Sequence, residues 1–509
     1  MYQSSQHGSI IQLLICALST LAVTQDARTK SAWATLEMDT QKVIIHDGEL
    51  QAADFSADPS RVPVAWATFR DDIKESGWSY LQVESNERVP DELQAYAAGT
   101  LEAHLTRERM EQHWTNLFSG YCDNQAEYCR RLEDFSMQNI EYTRKQQHER
   151  RDSDPFWNML HLHTKQLTGL SDAWENETLD FTHEISGVTR AFILNLVGDL
   201  QDLERALGRT KDLNSIDQIL ACTALVKIVG DFDDLYIAHD TWFLYRAMLR
   251  VQKKYIFPWH LTASDTTVEK VIPGHTITTP SYPGMLVSWD GFYLTSAGML
   301  LNDNNDLWKE VTPEGHFGSP GSVATARIAT SGEEWLSVAS GPSTATKGSK
   351  LPYRDPSTHA ECRTHSKAAD ISDGLRESKY WASYNVAYFD EIFSISGQPA
   401  KVAKYGDYYT YENCPRAKMV KRDHEKLRDM DSIMTFMRYN DYKNDPLSRC
   451  NCTPPQNPAY AIAARYDLLC PYGKYDLPGM YHHGMGGIDV KVSSNVFRMG
   501  NETAYALVS

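Results

Sequence analysis

Apolar residues recur at three- and four-residue spacing through residues 85 to 210, then give way to short β-branched runs broken by Gly, Pro and Asp. The first texture predicts helices. "DELQAYAAGTLEAHLTRERMEQHWTNL" opens on an Asp at a capping position. "FSMQNIEYTRKQQHERRDSDPFWNMLHLHTKQLTGLSDAWE" and "ISGVTRAFILNLVGDLQDLERAL" carry the same period onward. The second texture begins at Cys222, with "CTALVKIV", "LYIAHDTW" and "KVIPGHTITTPSYPGMLVSWDGFYLTSAGMLL", and predicts strands and turns. "DHEKLRDMDSIMTFMRYND", further on, predicts a single amphipathic helix. Helices ahead of a multi-stranded region, with more helices behind it, predict a layered α+β fold rather than a wound parallel sheet. Residues 340–378 are polar and without period, the composition of a loop or divergent insert.

Composition narrows the class. The chain of 509 residues is 42% hydrophobic and holds 12 Trp, 27 Tyr and 16 Phe, enough to fill a sizeable core. Its net charge of −17 argues against nucleic acid or an anionic membrane surface as the main partner. Ile10 to Val23 is apolar but too short and interrupted to span a bilayer, and Ala22 and Thr24 stand where a signal peptidase would cut. Residues 1–24 therefore read as a secretory signal. Asn176, Asn451 and Asn501 lie in glycosylation triplets. Cys122 and Cys129 are close enough to bridge, and Cys450 and Cys452 form a second, tightly spaced pair. Cys222, Cys362, Cys414 and Cys470 have no obvious partner. This usage suits an oxidising compartment. His161 with His163, and His482 with His483, lack metal-ligand spacing, so no metal or cofactor is expected.

The chemistry-bearing feature is "CTALVKIV" followed by "GDFDD" and "LYIAHDTW". As an antiparallel hairpin, tight closure at Gly230 and Asp231 sets Cys222 opposite His239, and a five-residue loop slides its partner to Trp242. A thiol beside an imidazole and the carboxylate of Asp240 is an environment that favours a thiolate. Taken alone, the pair fits better a small cysteine packed in a sheet with a histidine at its edge.

The ordered segments "CTALVK", "AHDTW", "SYPGMLVSWDGFYLTSAG", "YWASYN", "YGDYYTYENCPRAK", "MRYNDYKNDPLSRC", "AARYDL" and "GGIDVKVSS" together resemble the phospholipase B-like family of lysosomal and secreted proteins. The resemblance implies a four-layer αββα N-terminal-nucleophile hydrolase sandwich with a largely helical N-terminal region. It also implies self-cleavage between Ala221 and Cys222. The fragments, 25–221 and 222–509, would stay associated. Cys222 would then be the nucleophile on an acyl ester or amide, glycerophospholipid deacylation being the activity the family name implies. His239 and Trp242 match the family's His-Asn-Thr-Trp segment, Asp290 a pocket aspartate, and Arg416 an arginine that could hold the self-cleaved segment or a substrate anion. For Asp290 the alternative is an Asp-Gly turn, for Arg416 an acidic neighbour, and Asp489 reads as a strand-end structural residue.

The chain also departs from the family. Asp240 replaces Asn, Gly291 replaces a second Asp, and Asn302, Asp303 and Asn304 stand where the family has Glu-Thr-Thr. Two family segments that supply a strand and a pocket asparagine should fall near 340–355 and are absent there. The sequence stops short of the family's Trp- and Pro-rich ending. The alternative function is therefore a catalytically inactive secreted member acting as a binding or structural glycoprotein.

Overall fold

The computed structural model describes residues 28–51, 54, 62–175, 178–212, 214–216, 221–265, 270–301, 312–339, 353–354, 361–362, 368–395, 398–475, 483–495 and 505–507. The predicted signal, Asn176, Asn501, His482, the Asn302–Asn304 segment and most of 340–367 lie outside them.

Four strands come first: β1 (Thr29–Glu37), β2 (Lys42–Asp47), β3 (Pro63–Arg70) and, after the one-turn helix α1 (Ile73–Ser76), β4 (Trp78–Ser85). The sequence reading did not anticipate them. Their inward positions include Ala32, Ala34, Ala65 and Ala67, all buried, and alanine carries little of the hydrophobic contrast that marks alternation. The expected helices follow as α2 (Asp91–Phe118), α3 (Ala126–Arg150), α4 (Pro155–Glu175), α5 (Arg190–Asn195) and α6 (Val197–Ala206). Gly99 and Gly169 let α2 and α4 touch backbone to backbone, since a Cβ on Gly99 would stand 1.9 Å from the Gln166 carbonyl oxygen.

The second half alternates more rapidly. β5 (Ala221–Val229), β6 (Asp234–Leu244), β7 (Arg250–Ile256), β8 (Thr276–Ser281), β9 (Tyr293–Thr295) and β10 (Leu300–Leu301) precede α7 (Gly318–Ile328) and α8 (Gly332–Ala339). Within the stretch read as an irregular insert lie three short strands, β11 (Tyr353–Arg354), β12 (Glu361–Cys362) and β13 (Ala368–Asp370), and helix α9 (Ser372–Ser378). Then come β14 (Tyr380–Ser383), α10 (Asp390–Ile395), α11 (Gln398–Tyr405), α12 (Pro415–Asp423), α13 (Met430–Met437), β15 (Met485–Asn495) and β16 (Tyr505–Leu507). The single helix expected over 423–441 is divided. Asp429 caps α13 by accepting from the Ser432 backbone N–H at 2.8 Å, while Ser432 Oγ accepts from the Asp429 N–H at 3.1 Å.

Two sheets organise these elements. The larger runs β10-β9-β8-β7-β4-β3-β1-β2 and the smaller β14-β5-β6-β15. In the larger sheet β4 and β7 pair in parallel, Trp78 opposite Arg250, whereas its other pairings are antiparallel. Strand alternation gives β7 two different faces. Lys253 and Tyr255 turn to α2, reaching Glu102 at 2.5 and 2.7 Å, and Arg250 turns the other way, towards the smaller sheet. On the smaller sheet, Leu225 and Ala238 join Met419 and Val420 of α12 and Ile433, Phe436 and Met437 of α13 in one core. Mixed helix and sheet, the α+β class, is what the chain adopts, with α2 and α4 sharing a core with the larger sheet and α12 and α13 with the smaller.

Candidate active site

β5 and β6 close through a four-residue loop, so neither predicted register holds. Cys222 pairs with Thr241, Ala224 with His239 and Ala221 with Trp242. Period-two alternation then sorts the side chains. Cys222, His239 and Thr241 share the inner face, towards the larger sheet. Asp240 and Trp242 point outwards, under α12 and α13. Asp240 therefore does not face His239's side of the hairpin, because neighbours on a strand face opposite ways. Trp242 contributes to the sulfur's surroundings through its backbone N–H, not its indole.

Several groups fix the head of β5. β14 pairs with β5 as far as Ser383 opposite Ala224, and the chain then turns at Asn385, whose φ of 59° is one that asparagine tolerates better than most residues. Asn385 Oδ1 takes the place of the next ladder acceptor, receiving the Cys222 N–H at 2.5 Å. Arg416, in the first turn of α12, donates to the Cys222 carbonyl at 2.5 Å and also to the Tyr384 carbonyl, with its guanidinium 4.5 Å over the Trp242 ring. These contacts are to backbone carbonyls, while the charge of Arg416 is felt by Asp240 from beyond ion-pair distance.

Facing Cys222 is a buried charged quartet. On β15, Lys491 lies opposite His239 and Asp489 opposite Thr241, past an irregularity between Gly487 and Asp489. Lys491 bonds Thr241 Oγ1, Asp489 and Asp290, the last at 3.0 Å. From the larger sheet, Arg250 pairs with Asp290 at 2.5 Å and with Asp489, and lies 4.0 Å over the Tyr282 ring. Asp290 thus occupies the predicted Asp-Gly turn, with Gly291 at φ 61°, and also faces the site. Burial alone would raise its carboxyl, but Arg250 and Lys491 hold it well below the usual carboxylate range. Asp489 belongs to this cluster rather than to a strand end.

The remaining groups are less polar. Burial, with Lys491 and Arg250 adding to it, pushes His239 well below the ordinary histidine range, so its imidazole is neutral. Its Nδ1 meets Thr241 Oγ1 at 3.2 Å, and its Nε2 has no partner among the described residues. The expected thiolate is overturned. Burial pushes the Cys222 thiol up to about 12, and Asp290 and Asp240 reinforce it against the Trp242 N–H and Lys491.

Sequence reasoning missed Asn385, Lys491 and Arg250. A signal existed for one of them: Asp489 and Lys491 stand two apart in an otherwise β-branched strand, which puts two opposite charges on one face. Elsewhere, disulfides join Cys122 to Cys129 and Cys450 to Cys452, while Cys414 and Cys470 are unpaired. Asn451 is exposed. Among the described residues no helix is long and apolar enough to cross a membrane.

A half-buried thiol, a buried imidazole and mutually compensated charges lie together in this α+β protein. The phospholipase B family model matches residues 65–350 and 361–508, and the chain belongs to that family. It is 35% identical to phospholipase B-like 2 of Bos taurus over 85% of this chain and 77% of that protein. It is 36% identical to its counterpart in Mus musculus over 85% and 76%. Phospholipase B-like protein B of Dictyostelium discoideum is 28% identical over 85% and 77%.

Proposed function

We propose that this chain is a cysteine-type N-terminal-nucleophile hydrolase of αββα architecture that cuts itself before Cys222 and then deacylates glycerophospholipids or related acyl esters and amides. The observation that carries the reading is the hold on the Cys222 amide. Its nitrogen, the leaving atom of the self-cleavage, is bound by the Asn385 side chain, and its carbonyl by Arg416. The nitrogen of the bond to be broken is thus held at the very head of a strand, and the next carbonyl along is fixed with it.

In the first step Cys222 Sγ attacks the Ala221 carbonyl carbon. The C–N bond breaks as the C–S bond forms, the nitrogen takes the thiol proton, and water then hydrolyses the resulting ester to thiol. The freed α-amine has a reference pKa of about 8 and supplies the base that the uncut site lacks. Acyl transfer from a lipid to the sulfur, followed by hydrolysis of that thioester, would complete turnover.

The parallel β4–β7 pairing joins strands from both sides of the cut, so the fragments 25–221 and 222–509 would remain one folded body. A secretory route, with glycan on exposed Asn451 and on Asn176 and Asn501, accords with the disulfides.

Intact-mass spectrometry of purified mature protein tests the proposal. Two fragments are expected, the second beginning at Cys222. Cys222→Ala abolishes the cut and Cys222→Ser slows it. A second reading, an inactive family member serving as a binding or structural glycoprotein, is favoured by the high pKa of the Cys222 thiol. A mature chain unbroken at 221–222 selects it.

A further inference from the structure

A cavity of about 470 Å³ opens among the helices that cover the larger sheet, between α3, α4, α5 and the start of α7. None of its lining residues belongs to the Cys222 cluster. Its volume falls in the range that takes one small organic ligand, roughly 300 to 1,000 Å³. The surface it presents is mostly apolar, with Ile140, Leu160, Leu167, Ile185, Phe192 and Phe317 in the wall.

Lys165 breaks that apolar surround. It lines the cavity and is only 5% exposed. Its ammonium donates to the carbonyls of Phe181 at 3.3 Å and His183 at 3.1 Å, and it has no carboxylate within ion-pair distance among the described residues. An ammonium has three protons, so one is left over. Glu92 feels the charge of Lys165 from beyond ion-pair distance, but among the described residues no carboxylate contacts the ammonium, and an anionic ligand is what would relieve a buried cation left so.

Other polar atoms point the same way. His163 and His316 line the cavity, are 5% and 4% exposed, and each has an Nε2 without a partner among the described residues, as does Thr143 Oγ1. Burial lowers both imidazoles, so they are uncharged hydrogen-bonding groups. At the rim, Arg144 and Lys145 are exposed and make no ion pair among the described residues, with Glu141 and Glu184 nearby.

We propose that this cavity binds a single-chain anionic lipid, one acyl chain against the apolar wall with its anionic head at Lys165. A fatty acid and a lysophospholipid share that chemistry. The proposal is independent of the reaction at Cys222. The competing account is a cavity filled by water, which polar lining atoms also accept.

The test is equilibrium titration of the purified full chain with a dansyl-labelled fatty acid, then displacement by palmitate, lysophosphatidate or hexadecanol. Saturable binding of one probe per chain is expected, with neutral hexadecanol displacing at least about tenfold more weakly than the better anionic competitor. Whichever anion competes better identifies the source. Thr143→Trp, at a half-buried position in the wall, should weaken the probe at least about tenfold while melting like the parent. Lys165→Met should erase the preference for the anion over the alcohol, and Cys222→Ser should bind as the parent does. The proposal falls if the parent shows no saturable binding, if hexadecanol competes as well as both anions, or if a natively melting Thr143→Trp binds undiminished.

Discussion

On the inner face of the β5–β6 hairpin, Cys222, His239 and Thr241 look onto Lys491, Asp489, Asp290 and Arg250. On the outer face, Asp240 accepts from the Trp242 indole, and the Arg416 guanidinium of α12 lies over the Trp242 ring. Both faces bury carboxylates, yet the outcome differs. Asp290 is one of two anions set against two cations, and they keep it ionised against the pull of burial. Asp240 accepts from the Trp242 indole at 2.9 Å with no cation in ion-pair contact among the described residues. Burial, followed by the charge of Asp489, pushes it well above the usual range. Burial therefore does not decide the charge of an acid. The company it keeps does, and the two faces are consequently suited to different work: fixed dipoles and charges towards the sulfur, and neutral packing behind it.

The largest effect should come from removing one member of the inner quartet. Lys491→Met keeps the volume of the side chain but leaves Asp290 and Asp489 sharing Arg250, with an uncompensated charge in the interior. Breaking a buried pair by deleting one partner costs about 3–5 kcal/mol. Calorimetry should show a large fall in melting temperature. A variant that melts within a degree or so of the parent would mean the cluster is not closed as described.

A smaller effect tests the edge between the two faces. Asn385→Gly retains the left-handed backbone conformation and deletes the acceptor of the Cys222 N–H. One lost hydrogen bond of about 1–1.5 kcal/mol at the leaving nitrogen corresponds to a fall of about tenfold in the rate of self-cleavage. Following fragment appearance after synthesis measures it. An unaltered rate would show that the side-chain clamp has no part in the reaction.

Why the sequence yielded one part of this site and not another is a matter of range. The helices over 91–175 and the β5–β6 hairpin rest on periodicity within a single segment, and both were legible. The register was not, because it turned on whether the loop held two, four or five residues, and "GDFDD" fits more than one closure. The opposition of His239 and Asp240, by contrast, follows from alternation in any register and could have been read. Asn385 is 163 residues from Cys222, and Arg250, Asp290 and Asp489 meet only because two sheets face each other. Nothing local announces such a meeting. The strands before residue 85 were hidden differently, by inward alanines whose burial leaves only a faint pattern.

The smallest effect, and the sharpest on the comparison, belongs to Asp240→Asn, which installs the residue of the family's His-Asn-Thr-Trp segment. An acid whose pKa is higher folded than unfolded holds its proton more tightly in the folded chain. Its contribution to stability is complete below the unfolded value of about 3.9 and drains away as pH rises towards the folded value. Asparagine does not titrate, so the variant should gain steadily on the parent as pH climbs from acid to neutral. Gly487 makes room for either side chain, since a Cβ there would stand 3.0 Å from the Asp240 carboxylate. Melting curves of both proteins across that range give the difference directly. Because the side chain points away from the sulfur, self-cleavage should proceed at the parent's rate. A stability difference flat with pH, or a changed cleavage rate, would place Asp240 among the working charges of the inner face after all.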